Sequence, residues 1–269
     1  VTTRNPPTVL VSVATYNEID NLPQLVDELF RAAPDVHLLV VDDQSPDGTG
    51  AWCDQYSTRD SRLRCLHRSG KLGLGTAIIA GLRWAIDHDY DVVVHLDGDL
   101  SHSPSDVPRL LARLLGEDRA APGPNQVDTR ASDTRDNLPS AGHDHCPDVV
   151  IGSRYVSGGG VENWPWLRRL MSRAVNTYCR WLLRIPVRDC SGGFRAYRVS
   201  LLRQLDFSQL EATGYALLEE LLFHCHRAGA VLSEVPIVFR NRRHGSSKVS
   251  LAEAWGVLTV VWKNRRRTS

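Results

Sequence analysis

Two carboxylates separated by one glycine, Asp97-Gly98-Asp99, close the short apolar run Val92-Val93-Val94-His95-Leu96. The run is rich in β-branched residues and reads as a buried strand. Gly98 lets the chain turn at the strand end, so both acidic side chains can face one point. Two hard oxygen ligands aimed at one point suit a divalent cation that is shared with substrate phosphates. An Asp-x-Asp at a strand end is also ordinary turn chemistry. Its meaning therefore depends on what else converges there.

Three acidic signals do converge. Val9 to Val13 reads as a first strand and runs into Thr15-Tyr16-Asn17-Glu18. Val36 to Val41 reads as a second strand and ends in Asp42-Asp43. Gln44-Ser45-Pro46-Asp47-Gly48-Thr49 is turn chemistry, with a helix expected to start near Thr49. Between the first two strands, Ile19, Leu22, Leu25, Val26, Leu29 and Phe30 recur at helical spacing, and Pro23 is tolerated in a first turn. Leu63 to Leu66 reads as a third strand and Leu74 to His88 as an amphipathic helix. Strands that alternate with helices make a parallel-rich α/β sheet. Ligands of such sheets bind beyond the carboxyl ends of the strands. Glu18, Asp42-Asp43 and Asp97/Asp99 all stand at such ends, which points to a nucleotide site.

The basic groups come later in the chain. Val149-Val150-Ile151 reads as a strand leading into Gly152-Ser153-Arg154-Tyr155, and Gly158-Gly159-Gly160 as a turn. Leu167 to Leu183 has a basic and apolar helical pattern. Asp189-Cys190-Ser191-Gly192-Gly193-Phe194-Arg195 is a polar, glycine-rich loop. Leu201 to Leu210 and Leu217 to His226 read as helices, the second carrying Glu219 and Glu220. Val231 to Phe239 reads as a last strand, placed at a sheet edge by Pro236. Arg240, Arg242, Arg243, His244 and Lys248 make a basic loop around Gly245, and Ser250 can cap a final helix, Leu251 to Trp262. Arg154, Arg168, Arg195, Arg242 and Lys248 suit phosphate oxygens. Acidic strand ends that can hold a metal, together with several cations, describe a substrate rich in phosphate.

Composition bounds the class. The 269 residues suit one large domain or a domain with an appendage. A formal net charge of +1 carries no global signal for nucleic acid. The six cysteines, Cys53, Cys65, Cys146, Cys179, Cys190 and Cys225, contain no Cys-x-x-Cys pair, which fits reduced thiols in a cytosolic protein. No run approaches the roughly 20 apolar residues of a membrane span, and the first residues lack a secretory pattern. From Gly116 to Pro147 large apolar residues nearly vanish, so this stretch is expected to be a flexible surface insertion. His143, Asp144, His145 and Cys146 inside it match no standard zinc spacing. Gly73-Leu74-Gly75 lacks the third glycine of a dinucleotide fingerprint.

Six segments in order resemble the motif series of the dolichol-phosphate (polyprenol-phosphate) mannose synthases of glycosyltransferase family 2. They are Ala14-Thr15-Tyr16-Asn17-Glu18, Val40 to Thr49, Asp97 to His102, Gly152 to Tyr155, Ser191 to Arg195, and Arg242-x-x-Gly245-x-Ser247-Lys248. The resemblance spans about Val9 to Val249. Ala14 stands where that family usually has Pro, Ser101 where many members have Gln, and the loop at Gly192-Gly193 carries an unusual glycine spacing. The Ser101 hydroxyl reaches less far than a Gln side chain.

The resemblance implies a GT-A fold, a Rossmann-like α/β architecture with one parallel-rich mixed sheet flanked by helices. It would cover residues 1–249 as a catalytic domain containing the insertion at about 116–147, followed by an amphipathic helix and basic tail over 250–269. It implies that Ala14, Tyr16, Glu18, Val41 and Asp43 contact guanine and ribose. Asp97 and Asp99, with Ser101 as a third contact, would hold Mg²⁺ or Mn²⁺, and Gly98 lies between them in the donor site. Arg154, Arg242 and Lys248 would hold diphosphate or lipid phosphate. Arg168 and Ser172 fall where the acceptor loop meets the lipid phosphate, and Arg195 joins them on the acceptor side. Asp99 and Arg154 are the expected catalytic residues, Asp99 as a metal ligand.

The implied reaction moves mannose from GDP-mannose to a polyprenyl monophosphate with inversion. The acceptor phosphate is already an anion, so no protein base is required, and charge neutralisation of the leaving diphosphate drives the step. The alternative is a UDP-glucose-dependent transfer to the same lipid. The expected location is cytoplasmic and peripheral to the membrane. Leu251, Trp255, Leu258, Val261 and Trp262, followed by Arg265-Arg266-Arg267, suit a headgroup boundary. A small membrane-anchoring partner is the other route to that surface.

Overall fold

A computed structural model describes residues 6–117, 146–212, 214 and 216–240. The first half alternates without interruption: β1 (Val9–Thr15), α1 (Leu22–Ala32), β2 (His37–Asp42), α2 (Thr49–Ser57), β3 (Leu63–His67), α3 (Leu74–Asp87) and β4 (Val92–Asp97). α4 (Val107–Leu115) follows. After residues 118–145 come β5 (Val149–Ser153), β6 (Gly160–Val161), α5 (Trp166–Leu183), β7 (Arg195–Arg198), α6 (Val199–Leu202), α7 (Ala216–Arg227), β8 (Leu232–Pro236) and β9 (Val238–Phe239).

Seven strands form one sheet in the order β3-β2-β1-β4-β7-β5-β8, and β6 pairs with β9 in a small second sheet. β1 lies parallel between β2 and β4, with Ala14 opposite Val41 on one side and Asp97 on the other. That register brings the three acidic strand ends to one edge. β7 runs antiparallel between β4 and β5, so the sheet is mixed.

Alternation along the strands divides the core. Val9, Val11 and Val13 of β1 join Leu38, Val40, Val92 and Val94 against α1 and α4, while Leu10, Leu39, Val41 and Val93 face α3 and α7. α1 presents Leu22, Leu25, Val26, Leu29 and Phe30 as one buried stripe, as its helical spacing requires. With helices on both faces, β1, β2 and β4 are apolar in near-continuous runs rather than alternating.

α3 approaches β1 closely at Gly81. A Cβ there would lie 1.9 Å from Ser12 Oγ and 3.0 Å from Ser12 Cβ, and Ser12 is buried. Gly81→Ala is therefore expected to destabilise the chain by about 1–3 kcal/mol through overpacking, although Ala is otherwise the better helix former by roughly 0.5–1 kcal/mol. Urea unfolding checks it, and a stabilised variant would show that α3 can move off the sheet.

Three expectations are corrected. The helix expected over Leu201 to Leu210 is only α6, Val199–Leu202, followed by a turn and a short 3-10 helix, Phe207–Gln209. The last strand is broken: β8 ends at Pro236, Ile237 N–H donates to Ser153 O, and β9 joins the second sheet. Pro236 does lie on an outermost strand. Arg195 is the first residue of β7 rather than the end of a loop. A four-residue strand, Arg-Ala-Tyr-Arg, has no apolar alternation to announce a central position. It is held there because the Arg195 and Arg198 guanidinium groups donate to main-chain carbonyls on the neighbouring segments.

Gly116 adopts a left-handed conformation just after α4, and Cys146 Sγ lies 3.6 Å from Leu115 O, so the two flanks of residues 118–145 meet. The interior of the expected insertion, the His143–His145 cluster, the expected basic loop beyond Arg240 and the expected C-terminal helix all lie outside the described residues.

Candidate active site

At the carboxyl edge of β1, β2 and β4 lies a cleft of about 260 Å³, lined by Ala14, Thr15, Tyr16, Glu18, Asp43, Lys71, Leu74, Ala77, Asp97, Gly98 and Asp99. Six of the expected donor residues therefore share one cavity with Asp99. Their loops are braced by hydrogen bonds. Asp42 accepts from Thr15 Oγ1 at 3.0 Å and from Ser45 N–H at 3.0 Å, which turns the chain so that Asp43 faces the cleft. Asp47 accepts from Thr49 N–H at 3.0 Å and from Ile19 N–H at 3.1 Å, joining the loops after β1 and β2. Burial pushes the Asp47 carboxyl up, but the hydrogen bonds from Thr49 and Ile19 win and hold it below the usual range.

At one end of the cleft, Asp43 Oδ1 pairs with Arg68 Nη1 at 2.6 Å, and its Oδ2 accepts from Gly73 N–H at 3.0 Å. Arg68 Nη2 in turn donates to Thr76 Oγ1 at 2.6 Å. The Lys71 ammonium lies 3.8 Å from the centre of the Tyr16 ring. Neither Arg68 nor Lys71 is among the residues the sequence singles out. A signal for them does exist: Arg68-Ser69-Gly70-Lys71 leaves β3 at the same carboxyl edge as the acidic strand ends.

At the other end, Gly98 has Ala14 O, Thr15 and Val13 packed at 3.3 Å around the place of a side chain, so any side chain there would press on β1. Asp99 Oδ1 accepts from Ser101 N–H at 3.0 Å, and Leu100 between them has φ +58°. Ser101 is buried, and among the described residues its hydroxyl has no hydrogen-bond partner. Asp97 lies 3.8 Å from His95 Nε2 and 3.4 Å from His102 Nε2, two buried imidazoles that sequence reasoning left unassigned. Burial pushes the His95 pKa down to about 4, so it is neutral beside the carboxylate.

Three expected contacts are displaced. The Val41 side chain is fully buried on the α3 face of the sheet and does not line the cleft. Arg195 is fully buried and donates to the carbonyls of Gly192, Leu218 and Cys190. It positions the glycine-rich loop and cannot reach an acceptor. Arg154 donates through Nε and Nη2 to both oxygens of Asp189, each at 2.7 Å, and through Nη2 to Ser191 Oγ at 2.8 Å. Its charge is balanced inside the protein, so it fastens the loop to β5 instead of standing as a phosphate clamp. Ser101 lies next to Asp99, whose carboxylate takes its N–H, and is not itself among the residues that line the cleft. Arg242 and Lys248 lie outside the described residues.

Arg168 and Ser172 stand one turn apart on α5. The Arg168 guanidinium stacks 4.0 Å from the Trp164 ring, which also lies 5.7 Å from Arg154. Ser172 Oγ accepts from Tyr155 O–H at 2.6 Å.

Glu219 of α7 lies beneath this region, fully buried, and burial raises its pKa from 4.5 to about 7 despite the nearby Arg195 charge. A carboxyl whose pKa is higher in the folded chain than in the unfolded one loses stability as pH rises between the two values. The stability of Glu219→Gln relative to the unsubstituted chain is therefore expected to increase from pH 4.5 to pH 7 and then level off. Chemical denaturation of both proteins across that range checks it, and a pH-independent difference would show an ordinary carboxyl.

Residues 10–143 match the family described as Glycosyl transferase family 2. A polyprenol monophosphomannose synthase of Mycolicibacterium smegmatis is 40% identical over 250 residues, covering 93% of this chain and 83% of its own. An undecaprenyl-phosphate mannosyltransferase of Micrococcus luteus is 40% identical over 267 residues, covering 96% of this chain and 97% of its own. Among solved structures, glucosyl-3-phosphoglycerate synthase from Mycobacterium tuberculosis in complex with phosphoglyceric acid aligns with TM-score 0.65 at 20% identity, over 97% of this chain and 80% of that one. A complex of that synthase with Mn²⁺, uridine diphosphate and glucosyl-3-phosphoglycerate aligns with TM-score 0.63. The fold shared with these transferases is GT-A.

Proposed function

The chain belongs to glycosyltransferase family 2 and is a glycosyltransferase, and from that premise we propose that it transfers mannose from GDP-mannose to a polyprenyl monophosphate, with inversion to a β-linked product. The observation that carries the reading is the carboxyl-edge cleft, which joins Tyr16, Glu18 and Asp43 to Asp97 and Asp99, in a chain 40% identical to two polyprenyl-phosphate mannosyltransferases along nearly its whole length.

In this reading the Tyr16 ring, with Lys71 poised on it, flanks the guanine. Asp43, held by Arg68 and the Gly73 amide, retains lone pairs for ribose hydroxyls. The donors at the other end fit a hard divalent cation: two carboxylates, backed by a buried hydroxyl with no partner on Ser101. Asp97 and Asp99 would hold Mg²⁺ or Mn²⁺, with Ser101 Oγ as an additional oxygen. Bound there, the cation supplies Lewis-acid neutralisation of the leaving diphosphate. Arg242 and Lys248 add positive charge to that diphosphate. Arg168 and Ser172 receive the acceptor phosphate, whose oxygen attacks C1 of the sugar on the face opposite the diphosphate. The acceptor is an anion near neutral pH, so no side chain has to remove a proton. His95, neutral beside Asp97, leaves the metal carboxylate its charge.

The lipid acceptor calls for contact with a bilayer, and among the described residues no helix is long and apolar enough to cross one. α5 supports peripheral contact. Trp166, Leu167, Leu170 and Met171 are exposed on one side of its first turns, beside the acceptor residues Arg168 and Ser172. Trp166→Ser with Leu170→Ser is expected to weaken cosedimentation with anionic liposomes and to raise the KM for a long-chain acceptor, leaving the GDP-mannose KM unchanged. Unaltered liposome binding would move membrane contact to another part of the chain.

The test of the function uses purified chain and polyprenyl phosphate with GDP-mannose or UDP-glucose in parallel, with and without Mg²⁺. Mannosyl transfer that requires the cation, with a β-anomeric product by NMR, is the expected result. Transfer from UDP-glucose alone, or an α-linked product, overturns the reading.

A further inference from the structure

Asp97, one of the two carboxylates assigned to the cation, ends β4 and has a buried imidazole near each of its oxygens. His95 Nε2 lies 3.8 Å from Oδ1, beyond hydrogen-bond reach. His102 Nε2 lies 3.4 Å from Oδ2, inside the outer limit. An ionised carboxylate only accepts, so the nitrogen that approaches it presents its N–H. Of the two imidazoles, His102 is therefore the one that can hold the carboxylate.

Local structure brings His102 back to a residue five positions earlier. The chain reverses at Leu100, whose φ is +58°. Asp99 Oδ1 accepts the Ser101 N–H at 3.0 Å, and Ser101 O accepts the Arg240 N–H at 2.9 Å, which ties the segment to the residue after β9. The imidazole then lies between two phenyl rings. Its centroid is 5.4 Å from that of Phe194 and 5.0 Å from that of Phe239, edge to face with the second. Phe239 meets Trp164 at 5.4 Å, and Trp164 carries the Arg168 guanidinium on its ring. The stack that clasps His102 thus continues to the acceptor side of the site. Being 2% exposed, the imidazole has no room to swing away from Asp97.

Packing alone does not call for histidine at this position. A phenylalanine would fill the space between the two rings, and burying an imidazole whose Nδ1 has no hydrogen-bond partner among the described residues is unfavourable. What the imidazole adds is an N–H group facing Asp97. We infer that His102 is a positioning residue for the cation: its Nε2–H fixes the orientation of the Asp97 carboxylate before the cation arrives. The inference rests on the assignment of Asp97 to the cation. The glycine-rich loop borders the same carboxylate, because a Cβ on Gly193 would stand 3.4 Å from Oδ1 and 3.5 Å from Oδ2. A ligating carboxylate held in this way pays less to be ordered on binding, and hydrogen-bond partners of ligands tune metal affinity for that reason.

The test titrates the full chain, freed of metal by chelation, with Mn²⁺ alone and reads free Mn²⁺ from its electron paramagnetic resonance signal, so no turnover enters the measurement. Asp97→Asn should abolish binding. His102→Phe keeps a ring between Phe194 and Phe239 without the N–H, and His102→Leu removes the N–H from a smaller side chain. Both, checked for folding by circular dichroism, should weaken Mn²⁺ binding about 10- to 100-fold. His102→Gln, whose amide can donate from nearly the same reach, should recover most of the affinity. The Mn²⁺ concentration for half-maximal mannosyl transfer should rise and fall in parallel. Mn²⁺ binding that survives Asp97→Asn would overturn the cation assignment itself. Binding that is lost in Asp97→Asn but unchanged in folded His102→Phe or His102→Leu, or that is as weak in His102→Gln as in His102→Phe, overturns the role of His102 alone.

Discussion

Asp99→Ala is expected to lower mannosyl transfer by about 10²-fold or more while the chain stays folded. A bound cation that neutralises the leaving diphosphate supplies several kcal/mol, and each 1.36 kcal/mol is tenfold in rate. Asp99 also has a local task, because its Oδ1 accepts the Ser101 N–H at 3.0 Å. Removing that acceptor from a buried amide costs about 1–3 kcal/mol of stability. Asp99→Asn separates the two effects: its amide oxygen can still accept from Ser101, but the negative charge is gone. The expected outcome is near-normal melting for Asp99→Asn with turnover still deeply reduced and partly restored by raising Mg²⁺ or Mn²⁺. Normal turnover by either folded variant would remove Asp99 from the site.

The largest loss of stability is expected at the Arg154–Asp189 pair. Asp189 is fully buried and takes the Arg154 N–H at 3.0 Å as well as the two guanidinium contacts at 2.7 Å. Burial pushes its carboxyl up, and the Arg154 charge and hydrogen bonds overcome that and hold it below its usual value. A carboxyl depressed in this way contributes stability above its unfolded pKa, and the contribution is lost as pH falls through the folded value. Asp189→Ala leaves the guanidinium buried without its counter-charge, which costs roughly 3–5 kcal/mol. Arg154→Met with Asp189→Leu should recover much of this, because a buried pair replaced by packed apolar groups is often neutral. Denaturant unfolding of the two singles and the double measures the coupling. A single-variant cost under about 1 kcal/mol would contradict a buried, bidentate pair.

The legible part of the site was the part carried by strand ends. Val92 to Leu96 is apolar apart from His95 because helices cover both faces of the sheet, and its end at Asp97 could be read directly. The same holds for Val36 to Val41 and Asp43. Where the chain leaves such regular elements, reading failed for identifiable reasons. Arg154 and Arg195 look like phosphate ligands because arginine is the residue for that task, and nothing local marks which guanidinium is consumed by a distant carboxylate or carbonyl. Asp189 lies 35 residues from Arg154 in the chain, and Leu218 lies 23 from Arg195. Val41 looks like a nucleotide contact by motif position, although strand alternation turns it into the core.

By itself, the sequence determined the alternating α/β architecture, the carboxyl edge at which the cleft opens, the acidic pair at Asp97 and Asp99, and the family. These follow from hydrophobic period, turn residues and motif order, all of which are local or depend only on position along the chain. Only the tertiary structure decided which charged groups remain available to a substrate. It inserted β7 antiparallel between β4 and β5, paired Arg154 with Asp189 and set Lys71 over Tyr16. Each of those outcomes is a pairing through space, set by the need of buried charges and polar hydrogens to find partners wherever the packed chain brings them.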